Sequence, residues 1–98
     1  MRVVDIFILK EAIDDLEEGK NFYNQNEQGV GDYFWDSLIS DIESLVIFAG
    51  IHNRQDGYYR MLAKRFPYAV YYEIKDAIVY VVAVLPVRRS PEWVYKKL

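Results

Sequence analysis

The side chains of this chain best suited to chemistry sit at the end of its most apolar stretch. Ala77-Ile78-Val79-Tyr80-Val81-Val82-Ala83-Val84-Leu85 carries no polar group except one phenol, and the chain then changes character within two residues, through Pro86, Val87, Arg88, Arg89, Ser90, Pro91, Glu92 and Trp93. A strand so apolar is expected to be covered on both faces. An arginine pair placed directly after it stands at the rim of the core, where a rigid element can display functional groups. Upstream lie Arg60, Lys64 and Arg65. On a strand from Tyr58 to Phe66, Arg60 and Lys64 would share one face. If these strand ends meet, guanidinium and ammonium groups converge beside tyrosines. Such a group can grip an anion by bidentate hydrogen bonds, with rings at hand for stacking. The plain alternative is that Arg88 or Arg89 pairs with Glu92 or a helix carboxylate and anchors the tail. Spacing alone leaves both readings open.

Other chemistries find little support. Cysteine is absent, which removes disulfides, thiolate nucleophiles and Cys-based metal sites, and is compatible with a reducing compartment. No nucleophile–base pair, zinc spacing or phosphate loop appears. Gly29-Val30-Gly31 opens a helix but lacks the third glycine and the preceding strand of a dinucleotide site. The one histidine, His52, falls in a loop and reads as a solvated side chain. Neither metal nor cofactor is expected.

The elements that must position the cations follow from periodicity. Val3–Leu9 has the β-branched and aromatic content of a strand. Met1–Lys10 is too short to span a bilayer, is interrupted by Asp5 and lacks a small-residue cleavage site, so a cytoplasmic protein is expected. From Lys10 to Asn26, Ile13, Leu16 and Tyr23, widened by Ala12 and Phe22, mark a helix, with Asp14, Asp15, Glu17 and Glu18 on its other side. Gly19 inside it either permits a close helix approach or is simply tolerated, at a cost of up to about 1 kcal/mol. A polar break ending at Gly29 leads to a second helix, Val30–Ala49, with Trp35, Leu38, Ile42, Leu45 and Ala49 along a seam and Asp32, Asp36, Asp41 and Glu43 off it. So short a break requires an antiparallel helix hairpin. A loop from Gly50 to Gly57 precedes three strands, separated by Phe66-Pro67 and by Lys75-Asp76. The expected fold is α+β, in the order β-α-α-β-β-β: a helix hairpin packed on a small, mainly antiparallel sheet, with the first strand beside one of the later ones and the tail from Trp93 to Leu98 docked or frayed.

At 98 residues, 52% hydrophobic and 28% charged, the chain reads as one globular domain over 1–98. The net charge of −3 hides an asymmetry: residues 1–57 carry four basic against twelve acidic side chains, and residues 58–98 eight basic against three acidic. The acidic total disfavours non-specific nucleic-acid binding, and the basic half allows local contact with an anionic partner.

The stretches Arg60-Met61-Leu62-Ala63-Lys64-Arg65-Phe66-Pro67-Tyr68-Ala69-Val70-Tyr71-Tyr72-Glu73-Ile74 and Val82-Ala83-Val84-Leu85-Pro86-Val87-Arg88-Arg89-Ser90-Pro91-Glu92-Trp93, behind a helix hairpin, resemble the RelE/ParE superfamily of bacterial toxins. These are the toxin halves of type II toxin–antitoxin modules, also called plasmid stabilisation proteins. The resemblance spans nearly the whole chain and is most specific in Arg-Phe-Pro-Tyr and Arg-Arg-Ser-Pro-Glu-Trp. It implies either a ParE-like inhibitor of DNA gyrase or a RelE-like ribonuclease that cuts messenger RNA on the ribosome. The nuclease pattern would place Arg60, Lys64, Arg88 and Tyr95 in catalysis. However, this chain has Leu62 and Ala69 where that pattern has basic residues, Val94 where it has the tail tyrosine, and Pro86 where many relatives have histidine. The ParE-like reading is therefore favoured: growth arrest by binding a protein target through Arg60, Lys64, Arg65, Arg88, Arg89 and Trp93. A relative that only binds antitoxin is the third reading. The expected partners are a cognate antitoxin and gyrase or the ribosome, with no membrane and no sequence-specific DNA binding by this chain alone. The antitoxin is expected on the apolar seam of the helix hairpin and the free sheet edge.

Overall fold

A computed structural model describes residues 2–98. Strand β1 (Asp5–Ile8) leads into α1 (Lys10–Asn26), α2 (Val30–Glu43) and a single turn, α3 (Leu45–Phe48). The strands β2 (Arg54–Gln55), β3 (Tyr58–Leu62), β4 (Tyr68–Lys75) and β5 (Ile78–Pro86) follow, and α4 (Pro91–Lys97) ends the chain. The sheet order is β1-β5-β4-β3-β2. Only β1 runs parallel to its neighbour, the long β5, and every other pairing is antiparallel. The fold is thus the expected α+β arrangement of a helix hairpin on a mainly antiparallel sheet.

The hairpin packs closely because its glycines leave room. A Cβ on Gly19 would stand 2.6 Å from the Phe34 ring, so Gly19 serves the close helix approach. Asn24 Oδ1 accepts from the Gly29 and Gly31 N–H groups at 3.2 and 2.7 Å, capping the start of α2 where no side chain at the cap position does so. Phe34 takes the place expected of Trp35 in the buried seam: Phe34, Leu38, Ile42 and Leu45 are fully buried, together with Leu16, Val70, Tyr72, Val79, Val81 and Val84, whereas Trp35 and Ala49 are only partly buried against it. Each fully buried side chain contributes about 1.5–3 kcal/mol of hydrophobic stabilisation.

A bulge in β5 organises its second half. Tyr71 pairs with Ala83 and Tyr72 with Val81, which leaves Val82 as an extra residue. The insertion reverses the alternation, so that Val79, Val81 and Val84 all join the core under the helices while Ala83 and Leu85 turn to the opposite face. There they form a second cluster with Ala69, Tyr71 and Val94 of α4. The double coverage expected from the apolar run is therefore met, with α4 as the second cover.

Several expectations need correction. The strand from Tyr58 stops at Leu62, so Lys64 lies in the β3–β4 connection and shares no strand face with Arg60. The second helix breaks at Ser44, giving the separate turn α3. Asp41, read as lying off the seam, is only 4% exposed, and its carboxylate accepts the Lys64 N–H at 3.0 Å, tying α2 to the β3–β4 connection. The Gly50–Gly57 loop contains β2, closed onto β3 by a turn in which Asp56 and Gly57 both have positive φ. His52 is half-buried, with Nδ1 2.6 Å from the Tyr72 hydroxyl, which also accepts from the Gly50 N–H at 2.9 Å. The hairpin seam is buried against the sheet and is not a free surface.

Candidate functional site

The segment after β5 is built to hold a short helix against the sheet. Val87 N–H bonds to the Pro67 carbonyl at 2.9 Å, pinning the β5 exit to the β3–β4 connection. Ser90 is the N-cap of α4, its hydroxyl accepting from the Trp93 N–H at 3.2 Å, and Pro91 occupies the first turn, where its missing N–H is harmless. Glu92 near the start and Lys96 and Lys97 near the end complement the helix dipole. Val94 is the buried anchor.

This frame fixes a cleft of about 400 Å³ between α1 and α4 at the end of β5. One wall is α1, with Asp15, Glu18, Phe22 and Tyr23; the other carries Arg88, Arg89, Trp93 and Lys97, and Tyr68 and Val84 lie between them. The Arg89 guanidinium sits 4.8 Å from the Trp93 ring centre and the Lys97 ammonium 5.4 Å from it. Trp93 is thus a platform for two cations, each contact contributing about 0.5–1 kcal/mol at an exposed site. Neither arginine is ion-paired: among the described residues the salt bridges join Lys10 to Asp14 and Lys20 to Asp32. The tail is anchored by Val94 and the cap, and no Arg–Glu92 pair forms.

Burial governs the protonation of the groups in the cleft. It pushes the Tyr68 phenol up to about 12, with Tyr23 and Glu18 adding to the rise and Arg89 opposing it. Tyr23 is also raised by burial, against the pull of Arg88. The Asp15 carboxyl is raised by burial, although the Val84 N–H that its Oδ2 accepts at 3.0 Å works the other way, as does Lys97. At neutral pH both phenols are neutral, Tyr23 on the α1 wall and Tyr68 between it and the cationic wall. The cleft can bind charged groups of both signs.

The sequence-derived residues divide. Arg88, Arg89 and Trp93 come together, joined by Lys97. Arg60 lies elsewhere on the sheet: its Nε donates to the Tyr71 hydroxyl at 3.1 Å, and it lines a separate depression with His52 and Arg54. Lys64 and Arg65 are exposed in the β3–β4 connection and line neither space, and Tyr95 projects from α4, 68% exposed. Sequence reasoning missed the α1 wall. Its signal was present: Asp15, Glu18, Gly19, Phe22 and Tyr23 fall at steps of three, one, three and one, a single helix face that mixes acids with aromatics. Among the described residues no three His, Asp or Glu side chains cluster to hold a metal ion, and no helix is long and apolar enough to cross a membrane.

Comparison with known proteins bears on this geometry. A family model described as the ParE toxin of the type II toxin–antitoxin system, parDE, matches residues 6–91. Among solved structures, a chain of the chromosomal ParDE TA system from P. aeruginosa superposes with a TM-score of 0.77 at 12% identity, covering 86% of this chain and 96% of that one. At that identity the likeness speaks for the fold alone. No curated protein matches the chain.

Proposed function

The chain belongs to the ParE toxin family of type II toxin–antitoxin systems, and from that premise we propose that it arrests bacterial growth in the cytoplasm by binding a protein target, DNA gyrase, until a cognate antitoxin neutralises it. The observation that carries this reading is the set Arg88, Arg89 and Lys97, the last two over the Trp93 ring and all three without carboxylate partners at the rim of a cleft. Unpaired, rigidly mounted arginines beside an aromatic ring are typical anchors for protein recognition. The cleft supports binding, because it presents cations, carboxylates and aromatic rings together along one rim. Residues that a ribosome-dependent nuclease would use are dispersed, with Arg60 on Tyr71, Arg88 in the cleft and Tyr95 in solvent.

Inducing the chain without its antitoxin is expected to stop growth, and purified protein to inhibit gyrase supercoiling. Normal supercoiling together with cuts in translated messages, read by primer extension, would replace this reading with the nuclease one. Replacing Arg88 and Arg89 by Ala should abolish growth arrest and lower stability by less than about 1 kcal/mol, because exposed cations without ion pairs contribute little to folding. A loss above about 2 kcal/mol with arrest intact would make them structural anchors.

A further inference from the structure

An exposed apolar surface lies at α3 and the chain that follows it. From Ser44 to Asn53 no side chain is charged at neutral pH. Within that run Val46, Ile47, Phe48 and Ile51 are between 47% and 78% exposed. Leu62, also exposed, lines the same depression at the β2–β3 edge as Ile51 and extends the surface. Arg54 and Arg60 stand beside it, each turned onto a tyrosine ring, Tyr59 and Tyr71. The mount is rigid. Leu45 is fully buried, the Ile51 N–H bonds to the Phe48 carbonyl at 3.3 Å, and the Tyr72 hydroxyl holds both the Gly50 N–H at 2.9 Å and His52 Nδ1 at 2.6 Å. These apolar side chains are thus presented in a fixed frame, which leaves little freedom for a partner to remove. The surface is also remote from the cleft: Tyr72 pairs with Val81 in the first half of β5, and the arginine pair follows the far end of that strand.

Size and charge both point to a second copy of the chain as the occupant. The five side chains together expose about 500–600 Å², the upper end of what a monomer ordinarily leaves open. Covering this area on two copies removes about 1,100 Å² from water, which clears the roughly 1,000 Å² of a specific interface and lies at the weak end of the range. A two-fold axis sets a face against itself, so a charge at its centre meets a like charge. The acidic residues of α1 and α2 and the basic residues around α4 would repel their own copies. The uncharged run at α3 would not.

We propose that this surface is the isologous interface of a weak homodimer, in which Val46, Ile47, Phe48, Ile51 and Leu62 pack on the same residues of the second copy, with a dissociation constant of about 1–100 μM. The cleft of each copy stays open, so the dimer presents two rims of Arg88, Arg89 and Lys97 at once. Nothing in this interface depends on the toxin reading, and the test reads mass rather than growth arrest.

The test is sedimentation velocity on the full chain over a concentration series. The wild type should pass from 11.6 kDa to twice that mass and stop there. The midpoint should be unmoved by added chloride and shift to lower concentration in sulfate, because apolar burial is not screened and is strengthened by excluded salts. Ile47→Glu and Ile51→Glu should each weaken dimerisation about tenfold or more with unchanged melting temperature in dilute solution, since both positions are exposed and the two-fold brings the new carboxylates together. An equimolar mixture of Ile47→Glu and Ile47→Lys should recover dimers that neither variant forms alone. A wild type that stays at 11.6 kDa up to about 1 mM overturns the homodimer. So do a dimer that both Glu variants leave intact, an association that chloride abolishes, growth beyond the dimer without a plateau, and a mixture that recovers nothing. A monomeric wild type whose capture of the product of the adjoining reading frame is lost in Ile47→Glu would give the surface to that partner and equally overturn the homodimer.

Discussion

Asp15 shows how one side chain can serve the fold and a site at odds with each other. Its carboxylate closes the Val84 N–H, yet burial raises its pKa above the ordinary 3.8. A raised pKa means that folding favours the protonated form; that contribution is fully present below 3.8 and lost as pH rises through the folded value. Ionised Asp15 therefore costs stability at neutral pH. Asp15→Asn keeps an oxygen for Val84 and removes the charge, so the variant should melt at or above the wild-type temperature at pH 7, measured by calorimetry. His52 works in the opposite direction. Burial lowers its pKa below the ordinary 6.5, so its contribution is present above pH 6.5 and lost as pH falls through the folded value. The Tyr72 hydroxyl already accepts from Gly50 N–H, and neutral Nδ1 can take the phenol's proton. Imidazolium cannot, and Arg54 and Arg60 line the same depression. Melting temperatures should fall as pH drops from 7 to 5, and His52→Gln should flatten that slope.

At the scale of elements, the β4–β5 hairpin carries an avoidable strain. Asp76 and Ala77 sit at φ 53° and 63°, the left-handed pair of a type I′ turn. Aspartate tolerates this conformation, but alanine's Cβ costs about 1–2 kcal/mol there. Ala77→Gly should therefore stabilise the protein by about 0.5–1 kcal/mol once the greater freedom of unfolded glycine is deducted, read as a higher denaturant midpoint at unchanged slope. The neighbouring Asp56-Gly57 turn already has the favourable pairing and serves as an internal comparison. Element boundaries were readable where a local signal marked them. Lys10–Asn26 follows from the apolar stripe and the polar break, and Pro67 marks the start of β4, whereas the break expected at Lys75-Asp76 falls one residue later, with Lys75 in β4 and Asp76-Ala77 as the turn. The bulge at Val82 left no mark in an unbroken apolar run, because a one-residue slip between two buried faces changes no residue type. The helix α4 was hidden for a different reason: seven residues hold about two turns, too few for a periodic pattern, and only Ser90-Pro91 announced its start.

For the whole molecule, the charge asymmetry of the sequence becomes a spatial one. Nine of the acidic residues lie on α1 and α2, whereas Arg88, Arg89, Lys96 and Lys97 cluster at and beyond the end of β5. The arginine pair was legible because it follows the longest apolar run. The acid–aromatic face of α1 was marked by its spacing, but its place opposite the arginines was not, because which helix stands over the β5 end depends on long-range pairing of β1 with β5, which no local pattern encodes. This arrangement makes a definite prediction about nucleic acid. Duplex binding gains affinity from counterions released by clustered cations, with a slope of log affinity against log salt of about −0.9 per phosphate contacted. Four clustered cations can support a slope of about −4 at most, and the acidic helix layer together with the net charge of −3 opposes approach of a polyanion. Anisotropy with labelled duplex DNA and with single-stranded RNA should therefore show weak, sequence-independent binding at low salt that vanishes at physiological ionic strength. Growth arrest should be unaffected by variants that change this residual binding without touching the cleft, such as Lys96→Ala. Tight binding that persists at physiological salt would instead place the cations of α4 on a nucleic acid, and the protein-recognition reading of Arg88 and Arg89 would have to be given up.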